Sequence, residues 1–322
     1  LLNILHYQTL IASKAARCTL AANGTPVIDF GMRRAHGGEA GLWAARACYM
    51  AGFSATATCL SSARYNIPAS GTMAHAFILA HDSEAQAFER FARSHPDNVV
   101  LLIDTYDVKR GAQRVVEVAQ SLAAEGLQVH GVRIDSGDLA ANAKIARDIL
   151  DRGGLTKTRI IVSGGLDEYR LETLMAEGAP IDGVGVGSNV DTSADSPFLD
   201  SAYKLHYFRD RPRGKHAEGK TDLPGRKQVF RHYDADGLLS EDTLGLLDEN
   251  LEGDALLEPV MRDGKRLKMP ASGDLDCARA RCEKALATLP APLKQLRTPG
   301  QHRVSLSPQL KALREELAQS YR

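Results

Sequence analysis

The stretch Val129-His130-Gly131-Val132-Arg133-Ile134-Asp135-Ser136-Gly137-Asp138-Leu139 decides how this chain folds. Its first half alternates apolar residues as a short strand does. Its second half turns at once to charge, hydroxyl and glycine. Arg133 and Asp135 are two apart, so on an extended strand both side chains leave from one face. Ser136-Gly137 breaks the strand, and Asp138 is placed to cap a following helix. A guanidinium and a carboxylate at the end of a buried strand are costly unless something pairs with them. Two readings meet that demand: a mutual ion pair closing the strand, or a site for an anionic substrate. The recurrence of the same strand, glycine and helix pattern along the chain favours the second.

Working outward, apolar strand-like runs fall at 27–31, 53–58, 67–72, 99–104, 129–135, 159–165 and 181–188. Helical patterns separate most of them, at 39–50, 74–94, 109–125, 138–152 and 167–177, most with a glycine just past the end as the stop signal. In the 138–152 helix, Leu139, Ala143, Ala146 and Leu150 share one face. Seven β-then-α units with nearly all-apolar strands imply a parallel sheet covered by helices. The sheet could be a closed barrel or an open doubly wound sheet. No Gly-x-Gly-x-x-Gly follows the first run, which weakens the dinucleotide-binding version. The unusual residues collect at the C-terminal strand ends, where barrels of this type do their chemistry. The last two runs close on Ser163-Gly164-Gly165 and Gly185-Val186-Gly187-Ser188, residue types that let backbone amides approach a phosphate.

At 322 residues the chain is long enough for one large barrel with an appendage. Forty basic and forty acidic residues cancel, so there is no electrostatic case for nucleic acid or a membrane surface. No apolar run approaches the roughly 20 residues that span a bilayer. The five cysteines (Cys18, Cys48, Cys59, Cys277, Cys282) are scattered and odd in number, which fits a reducing cytoplasm. Cys277 and Cys282 lack a second pair to complete a zinc site. After about Pro197 the pattern changes. Strand signals at 203–205, 207–208 and 228–233 surround a basic, glycine- and proline-rich loop at 209–226. Its 220–227 part suits either a mobile solvated surface or a phosphate contact. Strand and turn signals run on to about Met269, and helices are expected at 275–289 and 308–320. The organisation expected is a joining helix at 1–20, an α/β barrel at 21–197 and a smaller α+β part at 198–322. Leu1, Leu2, Ile4, Leu5 and Leu10 form an apolar stripe on the first helix. The expectation is that an upstream segment covers it.

His75 follows Gly71-Thr72-Met73-Ala74 at a strand end, where an imidazole can serve as base, ligand or nucleophile. The series Asp29-Phe30-Gly31-Met32-Arg33-Arg34, Gly71 to His75, Asp104-Thr105-Tyr106-Asp107, Arg133 to Asp138 and Ser163-Gly164-Gly165-Leu166-Asp167 resembles nicotinate phosphoribosyltransferases. It is also similar to the related nicotinamide enzymes. The opening Leu1 to Leu10 and the late Lys227-Gln228-Val229-Phe230-Arg231 fit the same family.

The resemblance implies the type II phosphoribosyltransferase fold, an irregular parallel α/β barrel beside an α/β sandwich that an upstream segment would complete. It implies that nicotinate and phosphoribosyl pyrophosphate give nicotinate mononucleotide and pyrophosphate, with ATP as co-substrate and Mg²⁺ bound with pyrophosphate. It also implies a homodimer with shared sites. Under it, Phe30 would stack on the pyridine ring, and Arg33 and Arg133 would grip the carboxylate and phosphates. Gly164, Gly165, Gly187 and Ser188 would hold the 5′-phosphate by backbone amides, and Ser163 would be a further substrate-binding residue. Asp135 or Asp104 would steady the oxocarbenium ion or the Mg²⁺, and His75 would be phosphorylated by ATP. Family members often carry Gly-Thr-Ser-Asn where this chain has Ala55-Thr56-Ala57-Thr58, so Thr56 is the substrate contact left in question. Another phosphate-binding barrel, such as an aldolase, would need a strand lysine that is absent, and would leave His75 without work. A non-catalytic assembly subunit is the remaining alternative.

Overall fold

The computed structural model describes residues 1–217, 220–267 and 275–320. The chain divides into two compact units, one running from Asn3 to Leu199 and the other from Asp200 onward.

The first unit carries a six-stranded parallel sheet. Its strands are β1 (Val27–Asp29), β2 (Ala55–Thr56), β3 (Val100–Leu102), β4 (Gly131–Ile134), β5 (Arg159–Ser163) and β6 (Gly183–Val186). The hydrogen-bonded order is β2-β1-β6-β5-β4-β3. The first strand pairs with the last, Ile28 opposite Gly185 and Asp29 opposite Val186. This is the cyclic order of a barrel opened between β2 and β3. The strand-like run at 67–72 belongs in that opening but forms no strand. It touches β2 through one bridge, with the Thr56 N–H donating to the Pro68 carbonyl and the Ser70 N–H to the Thr56 carbonyl. Pro68 has no N–H to extend a ladder, which accounts for the interruption.

The helices are α1 (Leu2–Ala21), α2 (Gly38–Met50), α3 (Cys59–Tyr65), α4 (His75–Leu79), α5 (Glu84–Ser94), α6 (Val108–Ala124), α7 (Leu139–Arg152), α8 (Glu168–Ala176) and α9 (Ser188–Asp191). The helical pattern at 74–94 is therefore two helices. Ser83 ends the continuity because its hydroxyl caps α5 at the Gln86 N–H. Asp107, Asp138 and Asp167 each accept a hydrogen bond from the third residue beyond, which starts α6, α7 and α8 just after the sheet. The apolar faces they turn inward, including Val115, Leu122, Ala143, Leu150 and Leu171, are buried against strands that are themselves buried on both sides.

Helix α1 buries Leu10, Ile11, Lys14, Ala15, Cys18 and Ala21 at helical spacing. Leu1, Leu2, Ile4 and Leu5 are exposed. Lys14 is anchored by Glu168 at 2.9 Å, and Arg17 donates to the same carboxylate at 2.8 Å. This ion cluster ties α1 to α8.

In the second unit a four-stranded sheet has the order Asp254–Ala255, Lys227–Tyr233, Leu239–Leu246, Arg303–Leu306. The central hairpin turns at Asp234, whose carboxylate accepts from the Asp236 and Leu238 N–H groups. Arg303–Leu306 joins in parallel with Leu239–Leu246, a strand not expected from the sequence pattern. Helices occupy Leu275–Ala287 and Pro308–Gln319, close to the expected bounds. Tyr207–Phe208 pairs with Arg211–Pro212, whereas 203–205 is not a strand. Two short strands, His216–Ala217 and Lys220–Thr221, lie within the basic loop, and Lys227 is tied to the Leu223 and Gly225 carbonyls. Residues 218–219 of that loop, and Met269, where the expected strand signals end, lie outside the described residues. All five cysteines are free thiols. No helix among the described residues is long and apolar enough to cross a membrane.

Candidate functional site

The strands stop early at their C-terminal ends, and the turns beyond them enclose a cavity of about 460 Å³. Phe30 and Arg33 enter it from the turn after β1, and His75 from the first turn of α4. Arg133 and Asp135 come from the end of β4, Ser163, Gly164 and Gly165 from the end of β5, and Gly187 and Ser188 from the end of β6. Ten of the twelve residues singled out from the sequence therefore share one cavity, of a size usual for small-molecule sites. The two outside its lining are Thr56 and Asp104.

Thr56 is fully buried behind the wall, and its hydroxyl donates to Asp29 Oδ2 at 2.7 Å. Its neighbour Ala57 is the residue that reaches the cavity. Alternation along an extended segment explains this: only one of two adjacent side chains can face a given side.

Asp104 lies beneath the β4 turn. Its Oδ2 accepts from the Asp135 N–H at 2.8 Å and from Ser136 Oγ at 2.6 Å. It thereby fixes the backbone that carries Asp135. Its other oxygen is buried without a hydrogen-bond partner and lies 3.9 Å from His75 Nε2.

Arg133 and Asp135 do share a side, but the pair is loose. Arg133 Nη2 is 3.7 Å from Asp135 Oδ2, while Nη1 donates to Thr72 Oγ1 at 2.5 Å. Arg133 Nε is buried with no partner. Burial pulls the Arg133 guanidinium below its ordinary pKa, and Asp135 and Asp104 work against that shift. The guanidinium also lies 5.7 Å from the centre of the Phe30 ring, within cation–π range. Asp135 Oδ1 accepts from Ser163 Oγ at 2.5 Å, which leaves Oδ2 for Arg133 and for His75 Nε2 at 3.8 Å. A buried donor left open beside a half-committed carboxylate is a site prepared for an anion.

His75 is held from behind. Its Nδ1 pairs with Thr105 Oγ1 at 3.0 Å, so Nε2 is the nitrogen turned toward the two carboxylates. Where β5 ends, Gly164 takes φ 106°, and a Cβ there would lie 2.1 Å from the Asp135 carbonyl. Asn189 braces the same turn by donating to the carbonyls of Gly165 and Leu166, both at 3.2 Å. Thr72 and Thr105 hold the candidate side chains Arg133 and His75; both hydroxyls lie within the motifs at 71–75 and 104–107, where the sequence pattern assigns them no role. Met32, Met73, Ala74 and Leu166 complete the apolar part of the lining.

The chain matches the family model "Nicotinate phosphoribosyltransferase (NAPRTase) family" over residues 26–205. It matches the nicotinate phosphoribosyltransferase C-terminal domain over 248–314. It is 46% identical over 299 residues to the nicotinate phosphoribosyltransferase pncB2 of Mycobacterium tuberculosis, covering 93% of this chain and 64% of that protein. With the Bacillus subtilis nicotinate phosphoribosyltransferase it shares 40% identity over 280 residues, 84% of this chain and 54% of that protein. The chain thus spans a little over half to under two thirds of the length of these curated relatives. The crystal structure of human nicotinic acid phosphoribosyltransferase superposes with a TM-score of 0.83 at 26% identity, covering 97% of this chain and 74% of that one. That likeness carries the fold across the described residues.

Proposed function

The chain belongs to the nicotinate phosphoribosyltransferase family, and we propose that it transfers phosphoribose from phosphoribosyl pyrophosphate to nicotinate in NAD salvage. The observation that carries this reading is the convergence of Phe30, Arg33, Arg133, Asp135 and His75 with two glycine-serine strand ends on one cavity. In the reaction, the nicotinate ring nitrogen bonds to the anomeric carbon as the carbon–oxygen bond to pyrophosphate breaks. Positive charge builds on the ribose in between. Asp135, held by Ser163 and the Asp104-bound backbone, is a preorganised carboxylate for that charge.

Phe30 offers a ring face for the pyridine. Arg33 and Arg133 offer planar, permanently charged forks for the nicotinate carboxylate and phosphates. Gly164, Gly165, Gly187 and Ser188 offer backbone for the 5′-phosphate. Mg²⁺ would accompany pyrophosphate near Asp135 or Asp104. The unpartnered Asp104 oxygen and the carboxylate donor set suit a hard cation. When bound, the ion would neutralise charge on the leaving pyrophosphate.

ATP enters the proposal through His75. With Nδ1 engaged by Thr105, Nε2 can take the γ-phosphoryl group, forming an N–P bond while ADP leaves. The phosphohistidine is then hydrolysed to free imidazole and phosphate. The protein is proposed to work as a homodimer in the cytoplasm, which light scattering and cell fractionation would check. Calorimetric titration tests the binding half of the reading. Nicotinate should bind in the presence of phosphoribosyl pyrophosphate and Mg²⁺ more tightly than nicotinamide. Equal or reversed affinities would point to the nicotinamide branch.

A further inference from the structure

Two carboxyl groups lie buried behind the ring-binding turn, and among the described residues no cation is paired with them. Asp29, at the end of β1, and Asp191, in α9, are each 1% exposed. Both oxygens of Asp29 act as acceptors, each with a lone pair to spare: Oδ1 takes the Gly31 N–H at 2.8 Å and Oδ2 takes the Thr56 hydroxyl at 2.7 Å. Asp191 has neither carboxyl oxygen paired with a donor. What acts on it is the carboxyl of Asp29. Two acceptors facing each other out of water are untenable unless one carries a proton. Because both Asp29 oxygens already accept, the proton belongs to Asp191, which then donates to Asp29.

The seat of the Asp191 carboxyl explains why residue 31 is glycine. A Cβ at Gly31 would lie 2.1 Å from Asp191 Cγ and 2.3 Å from each of its oxygens. The space beside the ring-binding turn is therefore filled by an acid reaching across from α9. Among the described residues, the surrounding elements supply only neutral groups. Tyr7 of α1 donates to the Asp191 and Ala40 carbonyls, Cys48 of α2 is a buried thiol, and Thr56 of β2 is engaged on Asp29. Burial, with Asp191 and Asp29 as further causes, pushes the Tyr7 phenol up, and it pushes the Cys48 thiol up likewise.

We propose that Asp191 is a positioning residue for nicotinate binding: its protonated carboxyl, seated against Gly31 and bonded to Asp29, holds the Phe30 to Arg33 turn in the orientation that presents ring and guanidinium to the cavity. The inference rests on reading that cavity as the nicotinate site. Burial, with Asp29 beside it, raises Asp191 to about 9. Loss of its proton at alkaline pH puts two like charges behind Phe30, and the turn loosens.

The test compares the full chain with Asp191→Asn and Asp191→Ala, measuring nicotinate KM and kcat from pH 7 to pH 10. The asparagine amide can still donate to Asp29 but cannot ionise. In the parent, KM for nicotinate should rise at least several-fold above about pH 9 with kcat little changed. In Asp191→Asn that alkaline rise in KM should be absent. Asp191→Ala should raise KM about 10-fold or more already at pH 7. An alkaline rise in Asp191→Asn equal to the parent's overturns the proposal, as does a parental KM in Asp191→Ala. Should the parent fail to convert nicotinate at all, the functional reading falls instead. The part of the inference that does not need nicotinate, the proton held by Asp191 against Asp29, then stands or falls on urea unfolding. The parent should lose stability relative to Asp191→Asn as pH rises toward 9, and parallel curves would overturn it.

Discussion

Thr105 Oγ1 stands 3.0 Å from His75 Nδ1, on the side of the imidazole away from Asp135. A ring tethered at one nitrogen presents the other in a fixed direction, and here that direction is toward the two carboxylates. The hydroxyl thus does for His75 part of what a hydrogen-bonded carbonyl or carboxylate does for a metal-binding histidine: it sets the orientation of the ring, and because a hydroxyl can donate or accept it serves either tautomer.

His75→Ala should abolish ATP hydrolysis and leave a slow transfer that ATP does not stimulate. Thr105→Val should keep ATP hydrolysis but slow it about 5-fold, the value of one hydrogen bond of about 1 kcal/mol. ADP release followed in the presence of nicotinate and phosphoribosyl pyrophosphate reads both. Parental ADP release from His75→Ala would remove the histidine from the ATP step.

Arg133 and Asp135 should separate kinetically. Arg133→Ala leaves anionic ligands without their buried fork and should weaken them by roughly 2–5 kcal/mol. Asp135→Asn keeps the shape and the Ser163 contact, and should lower turnover at nearly unchanged affinity. Equal, affinity-only losses from both would mean that the 3.7 Å pair serves only to close the strand.

Glu168 is fully buried and bridges Lys14 and Arg17. Glu168→Ala strands the buried Lys14 ammonium with Asp195, which is half exposed. The cost should be about 3–5 kcal/mol in urea unfolding. A loss under about 1 kcal/mol would show that the cluster contributes nothing net.

In the second unit, Asp242 accepts a two-pronged hydrogen bond from Arg231 at 2.9 Å and another from His302 at 3.0 Å. The Arg231 guanidinium, ahead of the opposing effect of burial, holds its carboxyl below the usual carboxylate range. A depressed carboxylate stabilises the fold above its unfolded pKa of about 4, and that contribution is lost as pH falls through the folded value. The stability gap between parent and Asp242→Asn should therefore shrink as pH drops below about 4. A gap unchanged between about pH 7 and about pH 3 would contradict the assignment.

Much of this was legible in the sequence because the units of β3, β4 and β5 repeat the same grammar: an apolar run, a charged or glycine-rich end, then an aspartate cap. Asp138 caps α7 as its position implied. Pro68 was the signal against a strand at 67–72, and Ser83 the signal that 74–94 breaks in two. What could not be read was depth. Thr56 and Ala57 are adjacent, and only the register of β2 decides which faces the cavity. Asp191 carried no signal, since its role depends on a contact 162 residues away with Asp29. Arg303–Leu306 escaped because a four-residue edge strand lacks a periodicity of its own.

The most direct measurement is product formation by the full chain supplied with nicotinate, phosphoribosyl pyrophosphate, Mg²⁺ and ATP. Nicotinate mononucleotide and pyrophosphate should form in equal amounts, faster with ATP than without, and with far less product when nicotinamide replaces nicotinate. Nicotinamide mononucleotide as the preferred product, or no nucleotide from either base, would contradict the proposed transfer.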